Sequence, residues 1–185
     1  MRLSENRKLA TVVLIVCILA SIILFGGGGL RNERYDILQV FSDGTDTSLS
    51  VRHSMEAYLQ RCAGQASALA EQSVKLGADA ALIEDVRAAA EAAGQSGDDL
   101  DGRHEAYQEL VPAVEALYTA LEQTHGADEL LDARLAYNDF KGAVNLIQND
   151  QYPVMASAFN RKLEKFPANL IGALFGVKPL NTFGW

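Results

Sequence analysis

The longest apolar run of the chain lies near its N-terminus, between Leu9 and Leu30, and contains no charged residue. The run has about 22 residues, which as an α-helix would extend roughly 33 Å, enough to cross a hydrocarbon core of about 30 Å. Arg7 and Lys8 precede it. The pattern therefore predicts one transmembrane helix, and its anchoring side chains include Leu9, Val13, Val16, Leu19, Ile22 and Phe25.

A cleaved signal peptide is the alternative for this segment. The apolar part of a signal peptide usually has about 7–15 residues and is followed by small residues at a cleavage site. The stretch from Leu9 to Phe25 is longer than that, and no such site follows it. The sequence therefore favours an uncleaved anchor.

Charges beside the apolar run bear on its orientation. Arg2, Arg7 and Lys8 lie on the N-terminal side with the amino terminus, whereas Arg31 and Arg34 lie on the other side. Because positive residues near a membrane helix stay in the cytoplasm, this balance favours an extracytoplasmic position for the rest of the chain.

Four consecutive glycines, Gly26–Gly29, occupy the end of the apolar run. Glycine destabilises helices and loosens the chain, so we expect a flexible exit from the membrane. Glycine also lets two helices approach closely within a membrane, and a helix–helix contact is the alternative.

Beyond residue 54, apolar residues recur at steps of three and four, which is the period of an amphipathic helix. Three regions carry such seams, and their members are Met55, Leu59, Cys62, Ala66, Leu69, Ser73 and Leu76 in the first, Tyr107, Leu110, Val114, Leu117 and Leu121 in the second, and Leu131, Leu135, Phe140, Val144, Ile147, Met155, Phe159, Leu163 and Phe166 in the third. We expect these side chains to form the core.

Helix boundaries are indicated by turn and cap residues. Asp46 or Thr47 is a plausible N-cap for the first seam, and Asp79 is suited to start a further helix after Gly77. The polar segment from Gly94 to Gly102 predicts a loop. Pro112 predicts a kink in its helix or a late helix start, and Pro153 predicts that the last helical region is interrupted or starts again. The final helical region is expected from about Asp128, after a helix that ends at His125 and Gly126.

These patterns predict an all-α protein, with a transmembrane helix followed by an antiparallel up-and-down bundle of three to four long helices. The expected segments are an N-terminal flank at 1–8, the membrane helix at 9–30, a membrane-proximal linker at 31–47, the bundle at 48–167 and an apolar tail at 168–185.

The net charge of −8 makes nucleic acid an unexpected partner, because an acidic domain repels the phosphate backbone. We expect no catalytic, cofactor-binding or metal site. The three histidines are isolated, and the loop around Asp99 and Asp101 lacks two ligands of a calcium-binding loop. Cys62 is expected to be a small core residue.

The C-terminal segment FNRKLEKFPANLIGALFGVKP resembles the signature of the LemA family. The matching positions are Phe159, Asn160, Phe166, Pro167, Asn169, Leu170, Ile171, Phe175 and Gly176. Gln60-Arg61, Val74-Lys75 and Val86-Arg87-Ala88 are similar to a second family segment, although Cys62 replaces its second arginine. The resemblance implies a single-pass bacterial membrane protein with a helical bundle, and it supplies no catalytic residue.

The tail from Pro167 to Pro179 carries no charge before Lys178 and is too short to span a membrane. We expect it to pack on the bundle and close an apolar end. Contact with a membrane interface is the alternative, which the aromatic residues Phe183 and Trp185 favour.

Taken together, the sequence predicts a membrane-anchored helical protein without enzymatic activity that acts through protein–protein contacts, as a scaffold, adaptor or assembly subunit. A ligand-sensing extracytoplasmic domain is one alternative, because helical bundles can hold ligands between helices. A homo-oligomeric membrane assembly is a second. The expected partners are the lipid bilayer together with other proteins or further copies of the chain.

Overall fold

The computed structural model describes residues 7–47, 50–52, 54–97 and 99–183, without side chains at 7–8, 23–25, 45–47 and 50–52. The predictions for His53, Trp185 and the side chain of Phe25 therefore lie outside the described residues.

The described chain is mostly helical, with one short hairpin, and the prediction of an all-α protein is confirmed at that level. The helices are α1 (Arg7–Asp43), α2 (Met55–Lys75), α3 (Ala80–Gly94), α4 (Leu100–Thr124), α5 (Leu131–Gln148), α6 (Gln151–Leu163) and α7 (Ala168–Phe175). The hairpin pairs β1 (Thr45–Thr47) with β2 (Ser50–Arg52) in antiparallel register.

The chain divides into two compact units. The first contains residues up to Leu38 together with Met155–Leu180, and the second contains Gln39–Val154 with Asn181–Trp185. Helices α1 and α6 each contribute residues to both units.

Helix α1 runs without interruption for 37 residues. It passes through Gly26–Gly29 and continues to Asp43, so the expected flexible exit and the expected linker at 31–47 are both helical over this range. Among the described helices, the part of α1 from Leu9 to Asp43 alone is long and apolar enough to cross a membrane. Its apolar side chains at the predicted anchor positions are exposed, namely Leu9, Val13, Val16, Leu19 and Ile22.

The structure corrects the predicted N-cap of α2. Asp46 and Thr47 lie in β1, and the helix is capped by Ser54, whose hydroxyl accepts a hydrogen bond from the Ala57 N–H at 3.1 Å. The prediction for α3 is confirmed, because the Asp79 carboxylate accepts from the Ala81 N–H at 2.8 Å. Each cap satisfies a main-chain donor that the first helical turn leaves without a partner.

The core of the second unit lies where α2 contacts α3, α4 and α5, and where α3 and α5 contact α4. The predicted seam of α4 is buried throughout, and the helix continues through Pro112. In α2 the predicted positions from Met55 to Ser73 are buried, including Cys62, whereas Leu76 is half-buried.

The seam of α5 was predicted wrongly at its start. The helix begins at Leu131 rather than near Asp128, and the Leu131 and Leu135 side chains are 53% and 58% exposed. The buried face is formed largely by small residues, with Phe140, Val144 and Ile147 as its large members and Ala133, Ala136 and Ala143 between them.

Helices α6 and α7 close the chain. Helix α6 begins at Gln151. Pro153 therefore lies in its first turn, where proline is tolerated. Phe159 is buried, but Phe166, which was expected in the core, is 80% exposed.

Candidate membrane-exit site

Within the first unit, α7 packs on the glycine tract of α1. A Cβ atom placed on Gly26 would lie 2.8 Å from Cδ1 of Ile171, and one on Gly27 would lie 2.5 Å from the ring of Phe175. Both distances are shorter than any ordinary carbon–carbon contact. A side chain on Gly27 would therefore force the Phe175 ring to move, whereas one on Gly26 would require only a shift of the flexible end of Ile171. The glycines allow this close approach, which is the alternative role that the sequence indicated for the tract.

The end of α7 is stabilised by its own main chain. Gly176 adopts a left-handed conformation with φ 63°, and the N–H of Val177 donates to the Gly172 carbonyl at 2.8 Å. The Gly176 N–H also donates to the Ala173 carbonyl, at 3.4 Å. This is a Schellman motif, in which glycine is favoured because a Cβ disfavours the left-handed conformation.

Main-chain N–H groups at the start of α7 are also hydrogen-bonded. The N–H of Asn169 donates to the Lys165 carbonyl at 2.9 Å, and the N–H of Leu170 donates to the Asn169 side chain at 2.7 Å. A short helix with paired main-chain groups can enter an apolar environment at little cost, whereas an irregular segment cannot.

A neighbouring face of α7 and the preceding residue Phe166 are apolar and exposed. Phe166, Leu170 and Leu174 follow one another at steps of four residues, and their side chains are 80%, 58% and 64% exposed. Ile171, between them, is buried. Helix α7 therefore packs one face on α1, and the apolar side chains of its second face are exposed.

Two arginines of α1 bind the C-terminal end of the α7 segment. Nη2 of Arg31 donates to the Phe175 carbonyl at 3.0 Å, and Nε of Arg34 donates to the Lys178 carbonyl at 3.2 Å. The Arg31 guanidinium also lies 5.7 Å from the centre of the Phe175 ring, within the range of a cation–π interaction. Positive charge at this end of a helix is favourable because the unpaired carbonyls carry partial negative charge.

A cavity of about 290 Å³ lies beside these contacts. Its lining combines cationic with apolar and aromatic groups: Arg31, Arg34, Tyr35, Leu38, Phe175, Gly176, Val177 and Lys178. Among these described lining residues there are three cations and no carboxylate. Glu33 of the same helix turn is bound by Nζ of Lys162 at 2.5 Å.

The charge of this region is opposite to that of the whole chain. Residues 31–38 and 155–180 contain six basic and three acidic residues, a balance of +3, in a protein whose net charge is −8. The basic members are Arg31, Arg34, Arg161, Lys162, Lys165 and Lys178. The region next to the apolar run is therefore suited to contact anions.

The tail residues that carry the family resemblance have several different environments. Asn160 binds the main chain of Leu180 twice, donating to its carbonyl at 2.7 Å and accepting from its N–H at 2.8 Å. Ile171 is buried and Phe175 half-buried, whereas Pro167, Asn169, Leu170 and Phe166 are exposed. The predicted partner of the tail was the bundle of residues 48–167. Asn160 belongs to that range, and so does Leu163, whose Cδ2 would lie 3.1 Å from a Cβ on Gly172. Ile171 and Phe175 in addition approach α1.

Sequence reasoning missed the roles of Arg31, Arg34 and Lys178 at this site. Arg31 and Arg34 were considered only for membrane orientation. A signal was present, because they are three residues apart and so lie on one helix face, directly after the apolar run.

A second cluster, also missed, lies in the second unit around a buried arginine. Arg103 forms an ion pair with Glu56 at 3.5 Å and lies 5.4 Å from the centre of the Phe41 ring, while its Nε and Nη2 atoms have no partner among the described residues. Phe183 packs edge-on against the His104 ring at 4.9 Å. Burial lowers the pKa of His104, against the opposing influence of Asp101 and Glu105.

The buried thiol and phenol nearby stay protonated near neutral pH. Burial raises the pKa of the Cys62 thiol to about 12, although Arg61 acts in the opposite direction. Burial also raises the pKa of Tyr107. Since a nucleophilic cysteine requires a lowered pKa, Cys62 has the properties of a core residue.

Comparisons with protein-family models, curated proteins and solved structures found no match to this chain. Within the described residues, no three His, Cys, Asp or Glu side chains are grouped as metal ligands would be.

Proposed function

We propose that the protein is a single-pass membrane protein in which α1 crosses the bilayer, α7 forms a second membrane contact, and a bundle of α2–α5 acts through protein–protein contacts. The observation that carries the proposal is the position of α7, which docks on the end of the apolar run of α1 and exposes a second apolar face there.

The depth of these groups supports membrane contact by α7. If residues 9–30 fill the hydrocarbon core, Gly26 lies about 6 Å inside its boundary, because each helical residue adds about 1.5 Å. Ile171, which contacts Gly26, then brings α7 to the same depth. Amphipathic helices at a membrane surface insert their apolar face by about 5–10 Å. Leu170 and Leu174 would thus be in contact with lipid rather than with water.

Protein–protein contact is supported by α5. Leu131, Leu135 and Leu146 lie within one outward arc of this helix, opposite its buried alanines, and all three are exposed. Exposed leucines on the outward side of a helix are suited to a contact with another protein. A second copy of the chain is one such partner, and the homo-oligomeric assembly is therefore a form of the same proposal.

The resemblance to the LemA family is consistent with this architecture and remains part of the proposal. We propose a bacterial cell membrane as the location. The extracytoplasmic position of the bundle is proposed from Arg2, Arg7 and Lys8, which precede the span.

The membrane part is tested with the full-length protein in liposomes. It should remain with the membrane after carbonate extraction. Leu170→Asp should reduce the protection of the tail from protease in liposomes and leave it unchanged in detergent. Ile171→Asp is the matched control, since this buried side chain holds α7 on α1 in either environment. Extraction by carbonate, or equal effects of Leu170→Asp in liposomes and in detergent, would contradict the proposal.

The protein-contact part is tested by crosslinking in native membranes followed by mass spectrometry. Crosslinks should be concentrated on α5, and Leu135→Glu should reduce them. Val74→Glu is the control, because Val74 is similarly exposed but lies on α2. Crosslinks to a second copy would identify self-association, and unchanged crosslinks in Leu135→Glu would exclude the stripe as the contact.

A further inference from the structure

The cavity beside α7 combines features that neither anchoring nor helix capping explains. Capping accounts for one N–H of Arg31 and one of Arg34. It does not account for the third cation of the lining, Lys178, which is exposed and takes part in none of the described ion pairs. A lining with three cations and no carboxylate favours the binding of an anion.

We propose that this cavity binds the phosphate group of an anionic phospholipid. A lipid phosphate and a free phosphate ion present the same oxyanion. Arginine is particularly suited to bind it because its planar guanidinium offers several N–H donors in a fixed geometry. The lipid as the source rests on the proposed insertion of α1 and α7.

Both guanidiniums are held in place before a ligand binds. Each donates one N–H to a main-chain carbonyl, Arg31 at 3.0 Å and Arg34 at 3.2 Å. Arginine has five N–H donors. One of them is used in the described hydrogen bonds of each side chain, which leaves four for a ligand. Fixing these side chains in advance lowers the entropy that binding would otherwise cost.

The depth of the cavity matches that of lipid phosphates. Arg31 is the first residue after the apolar run, and Arg34 lies about 4.5 Å further along the helix. The headgroup region adds roughly 5–8 Å to each side of the hydrocarbon core. If residues 9–30 span the core, both guanidiniums therefore lie within the headgroup layer.

The remaining lining residues are suited to the rest of a lipid rather than to a free anion. Leu38, Phe175 and Val177 give one side of the cavity an apolar surface, against which the glycerol and the first acyl carbons can pack. A free phosphate ion would gain nothing from these contacts. The charge of +3 in residues 31–38 and 155–180 favours an anionic lipid over a zwitterionic one.

The test is native mass spectrometry of the full-length protein in a neutral detergent, with phosphatidylglycerol or phosphatidylcholine added. Lys178→Gln should weaken the binding of phosphatidylglycerol about tenfold, as loss of a charge-assisted contact does. Lys165→Gln removes one exposed charge from the same unit outside the cavity, and should change binding about twofold or less. Unchanged melting curves would establish that both variants are folded.

Three results would overturn the inference. One is equal weakening by Lys178→Gln and Lys165→Gln, which would indicate unspecific attraction. Another is equal affinity for the two lipids. The third is displacement of the lipid by inorganic phosphate at similar concentration, which would indicate a free-anion site. Carbonate extraction of membranes that contain the full-length protein tests the anchor separately. Protein that stays in the membrane but shows no lipid selectivity in detergent refutes this inference alone, whereas protein that carbonate extracts refutes the proposed function.

Discussion

A single methyl group on Gly27 should weaken the contact of α7 with α1. The Cβ of Gly27→Ala would lie 2.5 Å from Cδ2 and Cε2 of Phe175, about 1 Å inside the normal contact distance, so the ring must move. Full burial of a phenylalanine contributes about 1.5–3 kcal/mol. Since Phe175 is half-buried, its displacement should cost about 1–1.5 kcal/mol.

Gly28→Ala is the matched control, because nothing lies within 4 Å of a Cβ at that position. Both variants gain up to about 1 kcal/mol of helix propensity in α1, so their difference isolates the contact with α7. Hydrogen exchange of the amides of residues 168–177 measures the local opening of this segment. It should be roughly five- to tenfold faster in Gly27→Ala than in Gly28→Ala. Equal exchange in the two variants would refute the claim that the glycines allow α7 to dock.

Other predictions concern the second unit and the end of the chain. Leu69→Asp places a charge in the core and should cost several kcal/mol in thermal unfolding, whereas Val74→Asp, at an exposed position of α2, should cost little. The folded state binds a proton at His104 less readily than the unfolded state, because burial lowers its pKa from 6.5. Stability should therefore fall as the pH drops below about 6.5, and His104→Gln should show a smaller loss in melting scans at about pH 7 and about pH 5.5. Asn160→Ala removes both hydrogen bonds to Leu180 and should make the C-terminal residues more sensitive to protease. Asn169→Ala is the control and should not, because the exposed Asn169 side chain accepts its described hydrogen bond from the adjacent Leu170 N–H.

Local patterns predicted the helices well, because a stripe of large apolar residues at steps of three and four matches the period of an α-helix and does not match the alternation of a strand. The seam from Tyr107 to Leu121 is an example. The same rule failed in α5, where Leu131 and Leu135 are exposed and alanines are buried. Alanine is frequent on every face of a helix because of its propensity, so its presence in a sequence does not indicate burial.

The contact between α7 and α1 could be predicted only in part. The apolar run and the uncharged tail were recognised separately, but their contact joins Arg31 to Phe175, which are 144 positions apart. No pattern in a single sequence indicates which distant segment a helix packs on. The glycine tract was assigned to flexibility because that is the usual effect of glycine in isolation, and only the position of α7 makes the close approach evident.

The alanine-rich face of α5 has a consequence for mutational tolerance. Replacing Ala133, Ala136 or Ala143 by a larger residue would force neighbouring helices apart at about 1–3 kcal/mol, and replacing one by glycine would cost about 1 kcal/mol of helix propensity. Leu131 and Leu135 are exposed, so a larger side chain at either position would not force helices apart. In a saturation mutagenesis scored for folding, the alanines should therefore tolerate fewer substitutions than Leu131 and Leu135, although they are smaller. The leucines should become restrictive only in a screen that selects for activity in the cell.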